Sequence, residues 1–305
     1  MSASPLPHPR SVIITQLRTA GCVFAEDEAR LLISAARTPG DLATMVNRRA
    51  AGLPLEHVLG WAEFCGLRIA VDPGVFVPRR RTEFLVHQAA LAWQATSRAG
   101  PAADLARPSA GRPGQACAQP RAVVVDLCCG SGAVGAGLVA ALDRVELYAV
   151  DIDPVAVGCA RRNLAATGGQ VYEGDLYEPL PATLRGRVDL LVANAPYVPT
   201  EAVRLLPPEA RIHEPLVALD GGTDGLDIQR RVAAAAPLWL APSGFLLVET
   251  SERQAPQTVE TFARNGLIPR VARSDELNAT VVIGTRPVRR TDLAREPYGA
   301  AWRTA

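Results

Sequence analysis

Beyond residue 120, the chain alternates between short apolar runs and amphipathic stretches. Continuous runs rich in β-branched residues occupy 123–126, 145–150 and 188–193. Runs that are apolar on both faces are typical of strands in a parallel sheet covered by helices on both sides. Three later runs of the same kind lie at 244–249, 268–272 and 279–284. The pattern therefore predicts an α/β fold built on a doubly wound sheet.

Before residue 63 the pattern is helical instead. Apolar residues that recur every three or four positions predict helices over 12–19, 26–36 and 41–51. Gly52-Leu53-Pro54 then interrupts the helical pattern. We therefore assign residues 1–62 to a small N-terminal helical domain.

The rest of the chain divides at changes of composition. Residues 63–78 predict a β-hairpin within a connector that spans 63–81, and Thr82 is expected to cap a helix that reaches residue 95. The α/β domain then runs over 82–286. Two segments inside or after it lack any periodicity: a flexible insertion rich in Ala, Pro, Gly and Arg at 97–121, and a polar tail at 287–305.

Composition narrows the class of protein. The chain has 305 residues, 48% of them hydrophobic, and a net charge of +1, so no overall field draws it to nucleic acid or to an anionic membrane. Its six Cys and four His residues show no metal-ligand spacing, and the first ten residues do not resemble a signal peptide. No run approaches the roughly 20 apolar residues of a membrane span. A cytoplasmic enzyme with no metal is the expectation.

A glycine loop follows the first apolar run of the α/β domain. The run ends at Asp126 and continues into Leu127-Cys128-Cys129-Gly130-Ser131-Gly132 before an apolar helical stretch. Glycines let a backbone approach a ligand closely. Asp151 ends the next apolar run, roughly 20 residues further on, where a carboxylate can accept hydrogen bonds from ribose hydroxyls. The spacing predicts a nucleoside-containing cofactor.

Two cofactor classes fit this loop. With Gly135, the glycines also match the dinucleotide fingerprint, which makes a nicotinamide-linked oxidoreductase the rival. Asp126 argues against that rival, because a carboxylate beside the loop would repel a pyrophosphate. It would suit a ligand that carries an ammonium and a sulfonium, as S-adenosylmethionine does.

A second motif, Asn194-Ala195-Pro196-Tyr197, follows the run at 188–193. Open α/β sheets bind ligands outside the carboxyl ends of their strands. The Asn194 side-chain oxygen and a neighbouring backbone carbonyl can accept both hydrogens of an NH2 group, and the ring of Tyr197 can lie on a planar acceptor. The motif predicts transfer of a group to an amide or amino nitrogen.

Further segments resemble the HemK/PrmC family of protein N5-glutamine methyltransferases. Several motifs in the right order are stronger evidence than one, and the resemblance covers about residues 24–286. The segments that carry it besides the two motifs are 54–60, 64–67, 71–75, 77–79, 214–215, 218–222 and 224–226.

The resemblance implies a class I S-adenosylmethionine-dependent methyltransferase: a Rossmann-like doubly wound sheet with a small helical domain and a connecting hairpin. It implies methylation of a glutamine amide in a protein, either a peptide-chain release factor or another glutamine-bearing protein. The residues implied to be catalytic are Asn194, Ala195, Pro196 and Tyr197. Those expected to bind the cofactor are Asp126, Cys128, Cys129, Gly130, Ser131, Gly132, Asp151, Asp175, Leu176 and Asn194.

The chain departs from the family pattern at three places. Ala195 replaces a proline, Arg80 and Arg81 replace a proline and an acid, and 97–121 is inserted. Ala195 keeps the backbone carbonyl, so the chemistry is expected to survive. Two cations beside the expected substrate entrance predict an acceptor with more negative charge around its glutamine than a release factor carries, or a smaller acceptor.

Two other function classes stay open. An Asn-x-Pro-Tyr motif can hold the exocyclic amine of a flipped base in the same way, so an adenine-N6 nucleic-acid methyltransferase is one alternative. The near-neutral charge disfavours it, and no stable nucleic-acid or membrane partner is expected. The other is a binding paralogue that has lost activity, which the replacement at Ala195 would permit.

Overall fold

The computed structural model describes residues 10–98, 121–288 and 292. The insertion predicted at 97–121 and the tail predicted at 287–305 therefore lie outside the described residues, except at their ends. None of the helices in the described ranges is long and apolar enough to cross a membrane.

The helical region, residues 10–60, contains one more helix than the pattern predicts. Thr38 begins the third helix by accepting a hydrogen bond from the Asp41 amide at 3.1 Å, and Gly60 ends the fourth in a left-handed conformation, with φ of 79°. The fourth helix has five residues, too few for a period to show. The helices are α1 (Arg10–Thr19), α2 (Ala25–Ala35), α3 (Pro39–Ala50) and α4 (Leu55–Leu59).

The connector is a shorter hairpin than predicted. Strands β1 (Trp61–Phe64) and β2 (Leu67–Ala70) pair antiparallel around Cys65 and Gly66, which both have positive φ. Two such residues form the tight turn that suits a hairpin. Pairing ends at Ala70, because the following residues include Pro73 and Gly74.

A 3₁₀ turn, Arg80–Thr82, leads from the connector into helix α5 (Glu83–Arg98). The predicted cap, Thr82, is buried, and its hydroxyl accepts a hydrogen bond from the Asn194 side chain at 3.4 Å. Thr82 therefore connects the start of the α/β domain to the predicted site.

The α/β domain is the predicted doubly wound sheet. In space its strands run in the order β5-β4-β3-β6-β7-β9-β8, and within the described residues β9 alone runs opposite to the other six strands. The strands are β3 (Ala122–Leu127), β4 (Val145–Asp151), β5 (Gln170–Glu173), β6 (Val188–Ala193), β7 (Leu240–Thr250), β8 (Ile268–Ser274) and β9 (Ala279–Thr285).

Helices cover both faces of this sheet. Leu85, Leu138 and Leu164 pack on one face, and Val232 and Phe262 on the other. Every residue of β3 and β6 is buried, which explains their continuous apolar runs. The remaining helices are α6 (Ala133–Ala141), α7 (Pro154–Leu164), α8 (Pro208–His213), α9 (Asp227–Trp239) and α10 (Ala255–Arg264). Because β4, β3 and β6 are neighbours, the two predicted motifs meet at one edge of the sheet.

Candidate active site

A central cleft of about 430 Å³ lies over the carboxyl ends of β3, β4 and β6. It brings most of the predicted site residues together. Those that line it are Cys128, Cys129, Gly130, Ser131, Asp151, Asp175, Leu176, Asn194, Ala195, Pro196 and Tyr197. The cofactor loop and the Asn194 motif, more than 60 residues apart in sequence, thus face one cavity.

The glycine loop presents its backbone to the cleft. Cys128 and Gly130 both have positive φ, of 57° and 55°. Such a conformation strains a residue that has a side chain, and strained residues are concentrated at functional sites. The conformation of Cys128 therefore supports a functional site at this loop. A Cβ placed on Gly130 would meet nothing within 4 Å, which leaves open space above the loop for a ligand.

Asp151 ties the loop to the end of β4. Its Oδ2 accepts a hydrogen bond from the Gly130 amide at 2.7 Å, and its Oδ1 accepts one from the Asp153 amide at 3.0 Å. Burial raises the pKa of this carboxyl, while the backbone donors oppose that rise. Because Asp151 also lines the cleft, it has remaining acceptor capacity for ribose hydroxyls.

Asp175 and Leu176 form the neighbouring wall at the end of β5. Asp175 Oδ2 accepts a hydrogen bond from Arg231 at 2.6 Å, which fixes the carboxylate at the rim. Leu176 is buried and has positive φ, of 49°. It also lines the cleft, where its apolar side chain forms part of the floor. An apolar floor beside a fixed carboxylate suits a purine base.

Two predicted cofactor residues do not line the cleft. Asp126 is buried behind the loop, where its Oδ2 accepts a hydrogen bond from the Gly135 amide at 2.9 Å at the start of α6. A Cβ on Gly132 would contact Leu164 at 3.1 Å, so this glycine allows α7 to pack closely. Asp126 thus supports the loop from behind and does not line the cleft, and its expected contact with the cofactor's cation stays a prediction.

The Asn194 motif faces the loop across the cleft. Asn194 Nδ2 donates to Thr82 Oγ1 at 3.4 Å, and within the described residues Asn194 Oδ1 makes no hydrogen bond. The donating end of the carboxamide is therefore turned towards the protein, and its accepting end is available to a ligand. Ala195 is 1% exposed, and its side chain adds no polar group.

Tyr197 is held by a buried acid that the sequence did not single out. Its hydroxyl donates to Glu249 Oε1 at 3.2 Å, and Glu249 is 2% exposed at the end of β7. Burial raises the pKa of Tyr197 well above its ordinary value, so the ring stays neutral. Arg81 Nε also donates to Glu249 Oε1, at 3.3 Å.

The pair of Arg81 and Glu249 changes the expectation for the entrance. Arg81 and Arg80 were both expected to act as cations at the rim. Arg81 instead neutralises a buried carboxylate, and its guanidinium carbon lies 5.9 Å from the centroid of the Tyr197 ring. Of these two arginines, only Arg80 is exposed and makes no ion pair with a described residue.

The cysteines of the loop are not poised for nucleophilic chemistry. Burial raises the pKa of the Cys128 and Cys129 thiols, and neighbouring carboxylates raise them further, so both stay protonated. No cluster of His, Cys, Asp or Glu with metal-binding geometry occurs among the described residues. What the cleft offers is positioning by backbone, carboxamide and ring.

Replacing Asp151 with alanine is expected to weaken binding of S-adenosylmethionine by about 1.5 to 3 kcal/mol, as for a lost hydrogen bond to a charged group. Calorimetric titration measures the change. Glu173→Ala is the matched control: this exposed carboxylate lies beside Asp151 at the end of β5 but does not line the cleft. Unchanged affinity in the Asp151 variant would show that this carboxylate only supports the loop.

Comparisons with known proteins agree with this geometry. Residues 116–222 match the family described as Methyltransferase small domain. The chain is 37% identical over 253 residues to the release factor glutamine methyltransferase of Geobacter sulfurreducens. The aligned region covers 81% of this chain and 79% of that relative. It is also 33% identical to the 4-amino-L-phenylalanine/4-methylamino-L-phenylalanine methyltransferase of Streptomyces pristinaespiralis, over 82% of this chain and 85% of that one.

A solved structure shows the same fold at low sequence identity. The catalytic domain of hMettl16, in complex with an RNA hairpin, matches 81% of this chain and 83% of its own length with a TM-score of 0.52 and 14% identity. Together with the identity and coverage of the Geobacter relative, the fold and the cleft lead to one conclusion: the chain belongs to the release factor glutamine methyltransferase family, whose members are S-adenosylmethionine-dependent enzymes.

Proposed function

We propose that the enzyme methylates the side-chain amide nitrogen of a glutamine in a protein acceptor. The observation that carries this proposal is the direction of Asn194. Its NH2 group is directed at Thr82, so its oxygen remains to accept a hydrogen bond from an acceptor's NH2 group. An amide nitrogen is a poor nucleophile, and a site that only aligns it can lower the barrier by roughly 7 to 11 kcal/mol.

The backbone after Asn194 supplies the second acceptor. Within the described residues, the Ala195 carbonyl accepts no hydrogen bond. Asn194 Oδ1 and this carbonyl can each take one hydrogen of the acceptor's NH2 group, which favours the charge that develops on nitrogen during transfer. The position needs a carbonyl rather than a proline ring, so Ala195 is compatible with activity.

The cofactor loop and the ring of Tyr197 complete the arrangement. Gly130, Asp151 and Leu176 would hold S-adenosylmethionine along the ends of β3 to β5. When bound, it would supply an electrophilic methyl group: the N–C bond forms as the S–C bond breaks, S-adenosylhomocysteine leaves, and the proton that the amide nitrogen loses passes to solvent water. Tyr197, fixed by Glu249, supports the planar acceptor from one face.

A protein acceptor is favoured by the position of the helical region. Pro54 and Glu56 line the central cleft together with Glu209 of α8. Arg49, which is buried, donates to Glu209 at 2.7 Å and to Glu28 at 2.6 Å, so the helical region is fastened beside the cleft. A helical domain fastened beside the cleft suits a macromolecular acceptor more than a free amino acid.

The relatives define which acceptors to test. The Geobacter protein is named for release factors, and the Streptomyces pristinaespiralis protein for an arylamine amino acid. A purified release factor from the same organism, 4-amino-L-phenylalanine and an adenine-containing oligonucleotide should each be incubated with labelled cofactor. Mass spectrometry is expected to find one added methyl group on a glutamine of the protein. Labelling of the arylamine or the oligonucleotide instead would overturn the proposal.

The two arginines at the entrance are expected to affect different kinetic constants, KM for Arg80 and kcat for Arg81. Arg80→Ala should change KM for a protein acceptor about 2- to 5-fold at low salt and less at high salt, because Arg80 is an exposed rim charge. Arg81→Ala should lower kcat at every salt concentration, because it leaves Glu249 without its cation beside Tyr197. Steady-state kinetics at two ionic strengths measures both. Identical salt dependence in the two variants would contradict the assignment.

The direction of the Arg80 effect reports the charge of the acceptor. We propose that the preferred acceptor carries negative charge around its glutamine, in which case Arg80→Ala raises KM. For a release factor, which is expected to carry less negative charge there, KM should fall in this variant, and a raised KM would contradict the charge preference.

A further inference from the structure

The backbone that follows Asn194 and Ala195 is enclosed by a segment that the transfer reaction itself does not use. This segment, residues 220–225, is part of the stretch that resembles the family after the catalytic motif. The Val198 amide donates to the Leu219 carbonyl at 3.0 Å, and the Gly221 amide donates to the Val198 carbonyl at 2.9 Å. These bonds form a parallel bridge between Val198 and Asp220.

Two glycines of the segment permit a very close approach. A Cβ on Gly221 would lie 2.6 Å from the Pro196 carbonyl oxygen, and one on Gly225 would lie 2.3 Å from the Tyr197 carbonyl oxygen. No side chain fits at such distances, so the spacing between the motif and this segment requires glycine. The carbonyls of Pro196 and Tyr197 therefore face the segment rather than the cleft.

Gln254 closes the enclosure from the start of α10. Its Nε2 donates to the Tyr197 carbonyl at 2.9 Å and to the Asp224 carbonyl at 3.0 Å, and its Oε1 accepts from the Ser251 hydroxyl. Two carbonyls on one end and a hydroxyl on the other fix the orientation of this carboxamide. Only 8% of the surface of Gln254 is exposed, so water cannot replace these partners, and the orientation of the carboxamide depends on them.

We propose that Gln254 is a positioning residue for methyl transfer. By holding the Tyr197 carbonyl against the 220–225 segment, it fixes the direction in which Asn194 Oδ1 and the Ala195 carbonyl point. It does not line the central cleft and acts only through the backbone of the motif. The inference rests on the proposed function for its kinetic consequence, but the geometry of the loop is independent of the acceptor's identity. It matters more in this chain, because Ala195 lacks the φ restriction of a proline.

Gln254→Met tests the proposal with little change of shape. It removes the two donated hydrogen bonds and the one accepted from Ser251, and kcat is expected to fall about 10- to 100-fold, since a small misplacement of reacting groups costs that much. Affinity for S-adenosylmethionine should stay within about twofold, because the cofactor loop lies on other strands. Gln257→Met is the matched control, an exposed glutamine on the same helix. Rates are normalised to the fraction of enzyme that binds cofactor.

Hydrogen exchange gives a readout that needs no acceptor. In Gln254→Met, the amides of Val198 and Thr200, which donate to the carbonyls of Leu219 and Gly222, should exchange about tenfold faster or more, with the strand amides of β6 unchanged. If kcat and exchange both match the control variant, or if kcat falls only in proportion to lost cofactor binding, Gln254 is not a positioning residue. If the wild type methylates no glutamine, the proposed function fails, while the exchange result still decides whether Gln254 holds the loop.

Discussion

Asn194→Ala is expected to lower kcat about 100-fold or more, as observed when one preorganised polar group is removed from a site that stabilises developing charge. The substitution removes the oxygen that remains unpaired within the described residues and leaves the Ala195 carbonyl alone to hold the acceptor's NH2 group. Cofactor affinity and melting temperature should change far less, because Asn194 makes one long hydrogen bond, to Thr82. Single-turnover kinetics with saturating cofactor measures the loss.

Two further variants show whether orientation is the cause. Asn194→Asp keeps an oxygen at the same position and should retain more activity than the alanine variant. Thr82→Val removes the hydroxyl that receives the carboxamide's NH2 group, so the carboxamide can turn, and an intermediate loss is expected. Full turnover by Asn194→Ala would show that the amide is not held by this residue, and the mechanism proposed here would be wrong.

The sheet could be predicted because its strands are either fully buried or bounded by turn residues. The runs at 123–126, 145–150 and 188–193 correspond to β3, β4 and β6 within one or two residues. Strand β5, Gln170–Glu173, was missed, since it lies at the edge of the sheet and none of its residues is fully buried. An edge strand with partly exposed residues carries neither a continuous apolar run nor a clear alternation.

The candidate site could be predicted where a residue's role depends on its own strand end. Asn194, Asp151 and Gly130 lie in the cleft because carboxyl ends of neighbouring parallel strands share one edge. Glu249 and Gln254 were not identified, because their partners lie 52 and 57 residues away in sequence. No local pattern distinguishes such a buried polar residue from a surface one. The pairing of Arg81 with Glu249 was missed for the same reason.

Asp126 lies next to the glycine loop, as the sequence predicts, but it is buried behind that loop. A carboxylate next to a glycine loop was expected to face a cationic ligand, yet the first turn of α6 covers it. Its Oδ2 accepts a hydrogen bond from the Gly135 amide, and a Cβ on Gly135 would lie 3.2 Å from that oxygen. The glycine therefore brings the helix against the carboxylate, and the charge is buried within the protein instead of facing the cleft.

This burial gives the enzyme a pH-dependent stability that is expected to be large. Desolvation, together with the nearby Asp151, raises the pKa of Asp126 from 3.8 to about 7, although the Gly135 amide opposes the rise. Between these two values the folded protein holds a proton that the unfolded chain releases. The stabilisation is therefore complete below the unfolded pKa and is lost as pH rises towards the folded pKa. We expect the free energy of unfolding to fall by about 2 to 3 kcal/mol between about pH 5 and about pH 8 from this group.

Asp126→Asn should remove this contribution, because an asparagine oxygen can still accept the Gly135 amide but carries no charge to desolvate. Urea unfolding of both proteins at about pH 5 and about pH 8 gives the free energy of unfolding at each pH, and the change between the two pH values is compared for the two proteins. Asp143→Asn, at an exposed position after α6, is the control and should leave the pH dependence of the wild type unchanged. Glu214, whose pKa burial also raises, persists in both variants and cancels in the comparison, whereas the coupling between Asp151 and Asp126 is part of the contribution that Asp126→Asn removes. Equal pH dependence in wild type and Asp126→Asn would mean that burial does not hold a proton on Asp126 in the folded protein, and the expected contribution would be absent.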